Sequence, residues 1–159
     1  MRNRKRILLV SNDEAITDTM IGMSEEAGWQ ITVHRYGLRT LVLFRDDPSR
    51  FDLIMVDEGV DDVPGPALAA QLLSIEGTVR IILLLAKADA ETEFKARPSG
   101  VLGLLTKPVS PEELVEAVQK ALDDTYLVPS VAYQRSPERS NWLRDVLRGA
   151  GFGVEGSLR

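Results

Sequence analysis

The chain has 159 residues, 44% of them hydrophobic and 27% charged, with a formal net charge of -5. That is the balance of one folded domain with a hydrophobic core and a short appendage, and an acidic chain has no overall attraction to nucleic-acid phosphate. Without cysteine and with a single histidine, disulfides, thiol chemistry and multi-histidine zinc cages are excluded.

The basic residues Arg2, Arg4, Lys5 and Arg6 precede an apolar run, Ile7 to Val10, that stops at Ser11. The run is too short for a secretory leader, and no segment approaches the roughly 20 apolar residues that span a bilayer; a cytoplasmic protein is expected. The run has no polar alternation, which predicts a strand covered on both faces. Ser11-Asn12-Asp13-Glu14 reads as a capping box opening a first helix, whose stripe is Ile16, Met20 and Met23 and whose end is Gly28. Trp29 follows at a helix-to-strand turn, where packing is its expected purpose. Ile31 to Val33 is a second strand and Leu38 to Phe44 a second helix.

Leu53 to Val56 is a third strand, Ala67 to Leu73 a helix, and Ile81 to Leu85 a fourth strand; Glu91 to Ala96 is expected to be helical. Val101 to Leu105 is a weaker, glycine-interrupted fifth strand. Ser110-Pro111-Glu112-Glu113 opens a last helix with the stripe Leu114, Val118 and Leu122. Five strands alternating with five helices predict an α/β fold, (βα)5, with a parallel doubly wound sheet in the flavodoxin-like order 2-1-3-4-5. Functional groups are then expected at the carboxyl ends of the strands, after Val10, Val56 and Leu105.

Those three ends carry Ser11-Asn12, Asp57 with Gly65 eight residues on, and Lys107-Pro108. In that order and on those strand ends, Asp57, Gly65 and Lys107-Pro108 resemble the receiver domain of two-component response regulators, over about residues 5 to 124. The resemblance implies a signalling module and not an enzyme. Asp57 would accept a phosphoryl group from a histidine kinase or phosphotransfer protein, with Lys107 contacting the phosphate. Other protein domains would be met through the face of the last two helices and the last strand, or through the tail; a homodimer is compatible, and neither nucleic acid nor membrane is implied. The physical logic agrees, since a carboxylate nucleophile takes a phosphoryl group only where a cation offsets the charge.

The chain departs from the family pattern at four places. Ser11 and Asn12 stand where two acidic residues hold Mg²⁺ in the family, which leaves Asp57, Asn12 and Asp13 as a weak magnesium set, with helix capping the expected task of Asp13. The hydroxyl residue ending the fourth strand is replaced by Leu85 or Ala86, neither with a side chain that hydrogen-bonds a phosphoryl oxygen. Leu104 replaces an aromatic residue, and Val60-Asp61 replaces Met-Pro. The alternative function is therefore a pseudo-receiver, an interaction module that works without phosphorylation. A nucleotide-binding enzyme of similar fold is disfavoured, because the turn after the first strand has neither glycine nor lysine.

The remaining motifs have plainer readings. His34 is expected at the surface, and Asp61-Asp62 in a solvated loop rather than a metal site. Residues 1–124 form the expected receiver and 125–159 an extension. A shift of 123 residues places Ala27-Gly28-Trp29 on Ala150-Gly151-Phe152, which suggests the start of a second receiver-like unit. Otherwise Trp142, Leu143, Val146 and Leu147 form an amphipathic helix docking on the receiver or a second subunit.

Overall fold

The computed structural model describes residues 3–86 and 100–123. The helix expected over 91–96 and the extension expected from 125 lie outside the described residues. Five strands, β1 (Lys5–Val10), β2 (Trp29–His34), β3 (Leu53–Asp57), β4 (Ile81–Leu85) and β5 (Gly103–Thr106), alternate with α1 (Glu14–Ala27), α2 (Gly37–Asp46), α3 (Gly65–Ile75) and, last, α4 (Pro111–Leu122). All strand pairs are parallel, in the order β2-β1-β3-β4-β5, as the alternation of elements predicts.

Burial explains which strands the sequence announced. Every residue of β3 and β4 is buried, as is β1 from Ile7 to Val10, so these three read as unbroken apolar runs. β2 and β5 are the sheet edges and mostly half-buried, so their apolar content is thinner. The fifth strand accordingly starts at Gly103 rather than Val101 and runs on to Thr106.

Alternate residues of the sheet face opposite ways and divide the core. On one face Leu8, Val10, Ile54, Val56 and Leu83 pack with Leu41 and Phe44 of α2 and with Leu68 and Leu72 of α3. On the other, Ile7, Leu9, Met55 and Leu84 pack with Ile16 and Met20 of α1, Trp29, and Leu114 and Val118 of α4. At the end of the α4 stripe Ala121 is the buried residue and Leu122 only partly so. Leu38, expected inside α2, is 49% exposed there, because the core-facing stripe is Leu41 and Phe44. Among the described residues no helix is long and apolar enough to cross a membrane.

The helix ends bear out capping as the task of Asp13 and correct the role of Ser11 as the first residue of a capping box. Asp13, not Ser11, caps α1: its Oδ1 accepts the N–H groups of Ala15 at 3.0 Å and Ile16 at 3.5 Å. Gly28 closes α1 at φ 78°, a left-handed conformation that glycine adopts without steric cost. Ser110 caps α4 by accepting from the Glu113 N–H, with Pro111 in the first turn.

Candidate functional site

At the carboxyl ends of the central strands the parallel register sets Val10 beside Val56 and Asp57 beside Leu84. Asp57 is the last residue of β3 and only 2% exposed. α3 starts directly over its backbone: a Cβ on Gly65 would stand 2.3 Å from the Asp57 carbonyl oxygen. Only a residue without a side chain permits that approach.

A buried carboxylate requires partners, and Asp57 has three. Its Oδ2 accepts from Lys107 Nζ at 2.6 Å and from Ser11 Oγ at 2.8 Å, while Oδ1 accepts the Gly59 N–H at 3.1 Å. Lys107 reaches it because its own N–H donates to the Leu85 carbonyl at 2.8 Å, tying the turn after β5 to the end of β4; the Lys107–Pro108 peptide is cis. The ammonium also lies 2.9 Å from Asp13 Oδ2. Burial by itself lowers the pKa of Lys107, but hydrogen bonds to Asp57 and Asp13 and attraction to their charges outweigh it and hold the pKa above its ordinary value. The hydrogen bond from Lys107 is in turn the main reason that Asp13 stays below the usual carboxylate range.

The structure thus brings Asp57, Lys107 and Asp13 together and turns Asn12 away. The Asn12 amide donates to Asp61, whose other oxygen pairs with Arg35 at 3.7 Å. Asp57, Asn12 and Asp13 as arranged do not fit a magnesium ion, since the Lys107 ammonium occupies the space between the two carboxylates and the amide faces a third. Among the described residues no group of three or more His, Asp or Glu stands close enough to share a metal ion.

Four residues carry more than the sequence disclosed. Ser11 acts as a hydroxyl donor to Asp57 and also accepts the Asp13 N–H at 3.0 Å. Asp61 and Asp62 are exposed in the loop after β3, as expected, and both make hydrogen bonds there. Asp62 accepts the N–H groups of Gly37 at 2.7 Å and Leu38 at 3.0 Å, capping α2, whose preceding Tyr36 supplies no side-chain cap. That lack of a local capping residue is the sequence signal for an external one.

Glu58 is the fourth. Leu85 is fully buried and Ala86 exposed, and although neither side chain can bond a phosphoryl oxygen, the Ala86 backbone N–H can; it donates to Glu58 Oε2 at 2.7 Å. Adjacency to Asp57 is the only hint of Glu58 in the sequence. His34 is half-buried rather than at the surface, its Nδ1 lying 3.0 Å from Thr40 Oγ1. Leu104 is partly buried against the core and Val60 is buried.

Residues 7–119 match the response regulator receiver domain family. The chain is 27% identical over 119 residues to the Escherichia coli transcriptional regulatory protein CreB, covering 75% of this chain and 51% of that one. It is 28% identical over 109 residues to the Arabidopsis thaliana two-component response regulator ARR12, covering 69% and 18%. The chain therefore spans about half the length of such relatives or less. In fold it is similar to a CheY-like receiver domain protein from Methanospirillum hungatei, with a TM-score of 0.68 and 24% identity over 77% of this chain and 96% of that one. It is also similar to the receiver domain of the Pseudomonas aeruginosa sensor histidine kinase PA1611, a structure with magnesium coordinated in its active-site cleft, at a TM-score of 0.65 and 22% identity over 76% and 98%. At these identities the solved structures bear on the fold.

Proposed function

The chain belongs to the response regulator receiver domain family and so carries the receiving module of two-component signalling, and from that premise we propose that Asp57 is the residue on which its signal arrives, as a phosphoryl group. The observation that carries this reading is Lys107 Nζ at 2.6 Å from a carboxylate that is 2% exposed at a strand end. A carboxylate has about four lone-pair positions, and the three contacts to Lys107, Ser11 and Gly59 leave one to attack phosphorus. In the step, an Asp57 oxygen bonds to the phosphorus of a phosphohistidine on a kinase or phosphotransfer protein. The phosphorus–nitrogen bond breaks, the imidazole nitrogen keeps the electron pair, and Lys107 offsets the charge that gathers on the transferred oxygens. Ser11 and Gly59 orient the nucleophile. Magnesium enters no step of this reading, because the residues in its expected place are tied to Lys107 and Asp61. In the same reading residues 1–124 are the receiving unit and 125–159 an extension that begins a second such unit.

A second reading has its own observation. Leu85, fully buried at the end of β4, contributes no hydroxyl to a phosphoryl oxygen, which favours a receiver fold used as a phosphorylation-independent interaction module. Titration of the isotope-labelled chain with beryllofluoride, with and without magnesium, separates the two. Saturable backbone amide shifts around Asp57, Leu85 and Lys107 that vanish in Asp57→Asn are expected; their absence at millimolar ligand would replace the phosphoacceptor by the interaction module.

A further inference from the structure

The peptide group after β4 holds a donor that the chemistry above leaves unused. Ala86 is exposed, yet its N–H is not open to solvent alone: it donates to Glu58 Oε2 at 2.7 Å. Glu58 is set for this contact by its backbone, whose N–H donates to the Leu84 carbonyl at 2.8 Å and whose carbonyl accepts the Gly65 N–H at 3.2 Å. The side chain therefore leaves a fixed point next to Asp57 and crosses from the end of β3 to the end of β4.

Chemically this places a second carboxylate beside the first, on a donor suited to an anion. A phosphoryl group on Asp57 adds a charge of about −1.5 to −2 and three strong acceptor oxygens. Among the described residues, two groups at these strand ends can receive them: the Lys107 ammonium, 2.6 Å from Asp57, and the Ala86 N–H. Glu58 occupies the second and adds a like charge to the site. Ser11 and Gly59 are already committed to the Asp57 oxygens.

We propose that Glu58 is an internal anion that holds the Ala86 N–H closed against a tetrahedral oxyanion, and so sets how readily Asp57 accepts and keeps a phosphoryl group. This rests on the reading of Asp57 as phosphoacceptor. Glu58 is then a positioning residue and a determinant of anion affinity, acting through the backbone of Ala86. If it were merely a tie between two strands, its removal would loosen the end of β4 and impair acceptance.

The test uses the full chain with Glu58→Ala, Glu58→Gln and Asp57→Asn, each checked for folding by circular dichroism, and phosphoramidate as the donor. An Asp57 oxygen bonds to phosphorus while the phosphorus–nitrogen bond breaks and the nitrogen leaves as ammonia with its electron pair; intact mass follows the added group. Freeing one oxyanion donor and removing one like charge is expected to speed acceptance about tenfold or more in Glu58→Ala. Glu58→Gln should lie between, because its neutral amide oxygen still accepts the N–H. Amide hydrogen exchange at Ala86 should rise in Glu58→Ala without phosphate. Equal rates in wild type and both variants would overturn the role of Glu58 and leave Asp57 standing, as would slower acceptance in Glu58→Ala. Labelling of Asp57→Asn at the wild-type rate would overturn the phosphoacceptor instead, and no labelling of any folded protein would overturn both.

Discussion

Asp57 is buried with a net negative charge, and its surroundings show how a protein makes that tolerable: one ammonium, one hydroxyl and one backbone N–H converge on two oxygens. Lys107 is shared with Asp13, so the cation serves both the nucleophile and the cap of α1. A second titratable residue gives a pH dependence. Burial is the main cause, with Arg39 and Arg50 adding repulsion, that holds His34 below its ordinary pKa of 6.5. The folded chain therefore resists the proton that the unfolded chain accepts. Above 6.5 both states are neutral at His34 and there is no effect; as pH falls through 6.5 toward the lower folded value, stability is lost. Asp13 contributes in a separate window: its folded pKa lies below 3.8, so its stabilisation is present above that value and lost only at lower pH. Urea unfolding between pH 7.5 and 5.5 should show a decline that is flatter in His34→Gln; an unchanged slope would mean that other groups cause it.

At the level of elements, the turn from β3 into α3 is the tightest joint of the site. Gly65 brings α3 against the backbone of Asp57 and Glu58, where a Cβ would meet atoms at 2.3 to 2.8 Å. Those atoms belong to backbone and cannot turn aside. Gly65→Ala should therefore cost roughly 3 kcal/mol, the upper range for forced overpacking, measured by chemical denaturation. It should also disturb the Asp57 amide more than residues at the opposite end of the sheet. A cost under about 0.5 kcal/mol, as at an ordinary surface site, would show that the helix start can shift freely. α2 makes a complementary point, because its cap is Asp62, 25 residues away in sequence from Gly37. Asp62 thereby joins the β3–α3 loop to the start of α2, next to the Asp61 that pairs with Asn12 and Arg35.

For the molecule as a whole, one sheet separates two apolar clusters, and each depends on the other through β1, β3 and β4, which contribute side chains to both. Leu68 on one face and Leu114 on the other are both 0% exposed. Leu68→Ala and Leu114→Ala should each cost about 3 kcal/mol, and the costs should add, since the two side chains lie in different clusters. Urea unfolding of a Trp142→Phe variant, which leaves Trp29 as its single tryptophan, followed by fluorescence and by circular dichroism, is expected to give coincident transitions. Separate transitions would mean that the faces unfold independently.

The architecture was legible in the sequence because its signal is local and repeated. β1, β3 and β4 are buried on both faces and so had to be unbroken apolar runs, helical stripes such as Ile16 and Met20 had to recur at the helix period, and the polar residues ending those runs marked the strand ends. Asp57 and Lys107 were singled out by their order on the strand ends together with Gly65 and by the resemblance to the receiver family that this order carries. The edge strands were read less sharply, because half-burial demands fewer apolar residues. Only the tertiary structure decided which polar groups meet: Ser11 bonding Asp57 instead of capping α1, Asn12 turned to Asp61, Asp62 capping α2, Glu58 on the Ala86 N–H. These contacts join residues 24 to 49 positions apart. A hydrogen bond forms only within a few tenths of an ångström of its preferred length, and no local pattern of residue types carries information that fine about a distant partner.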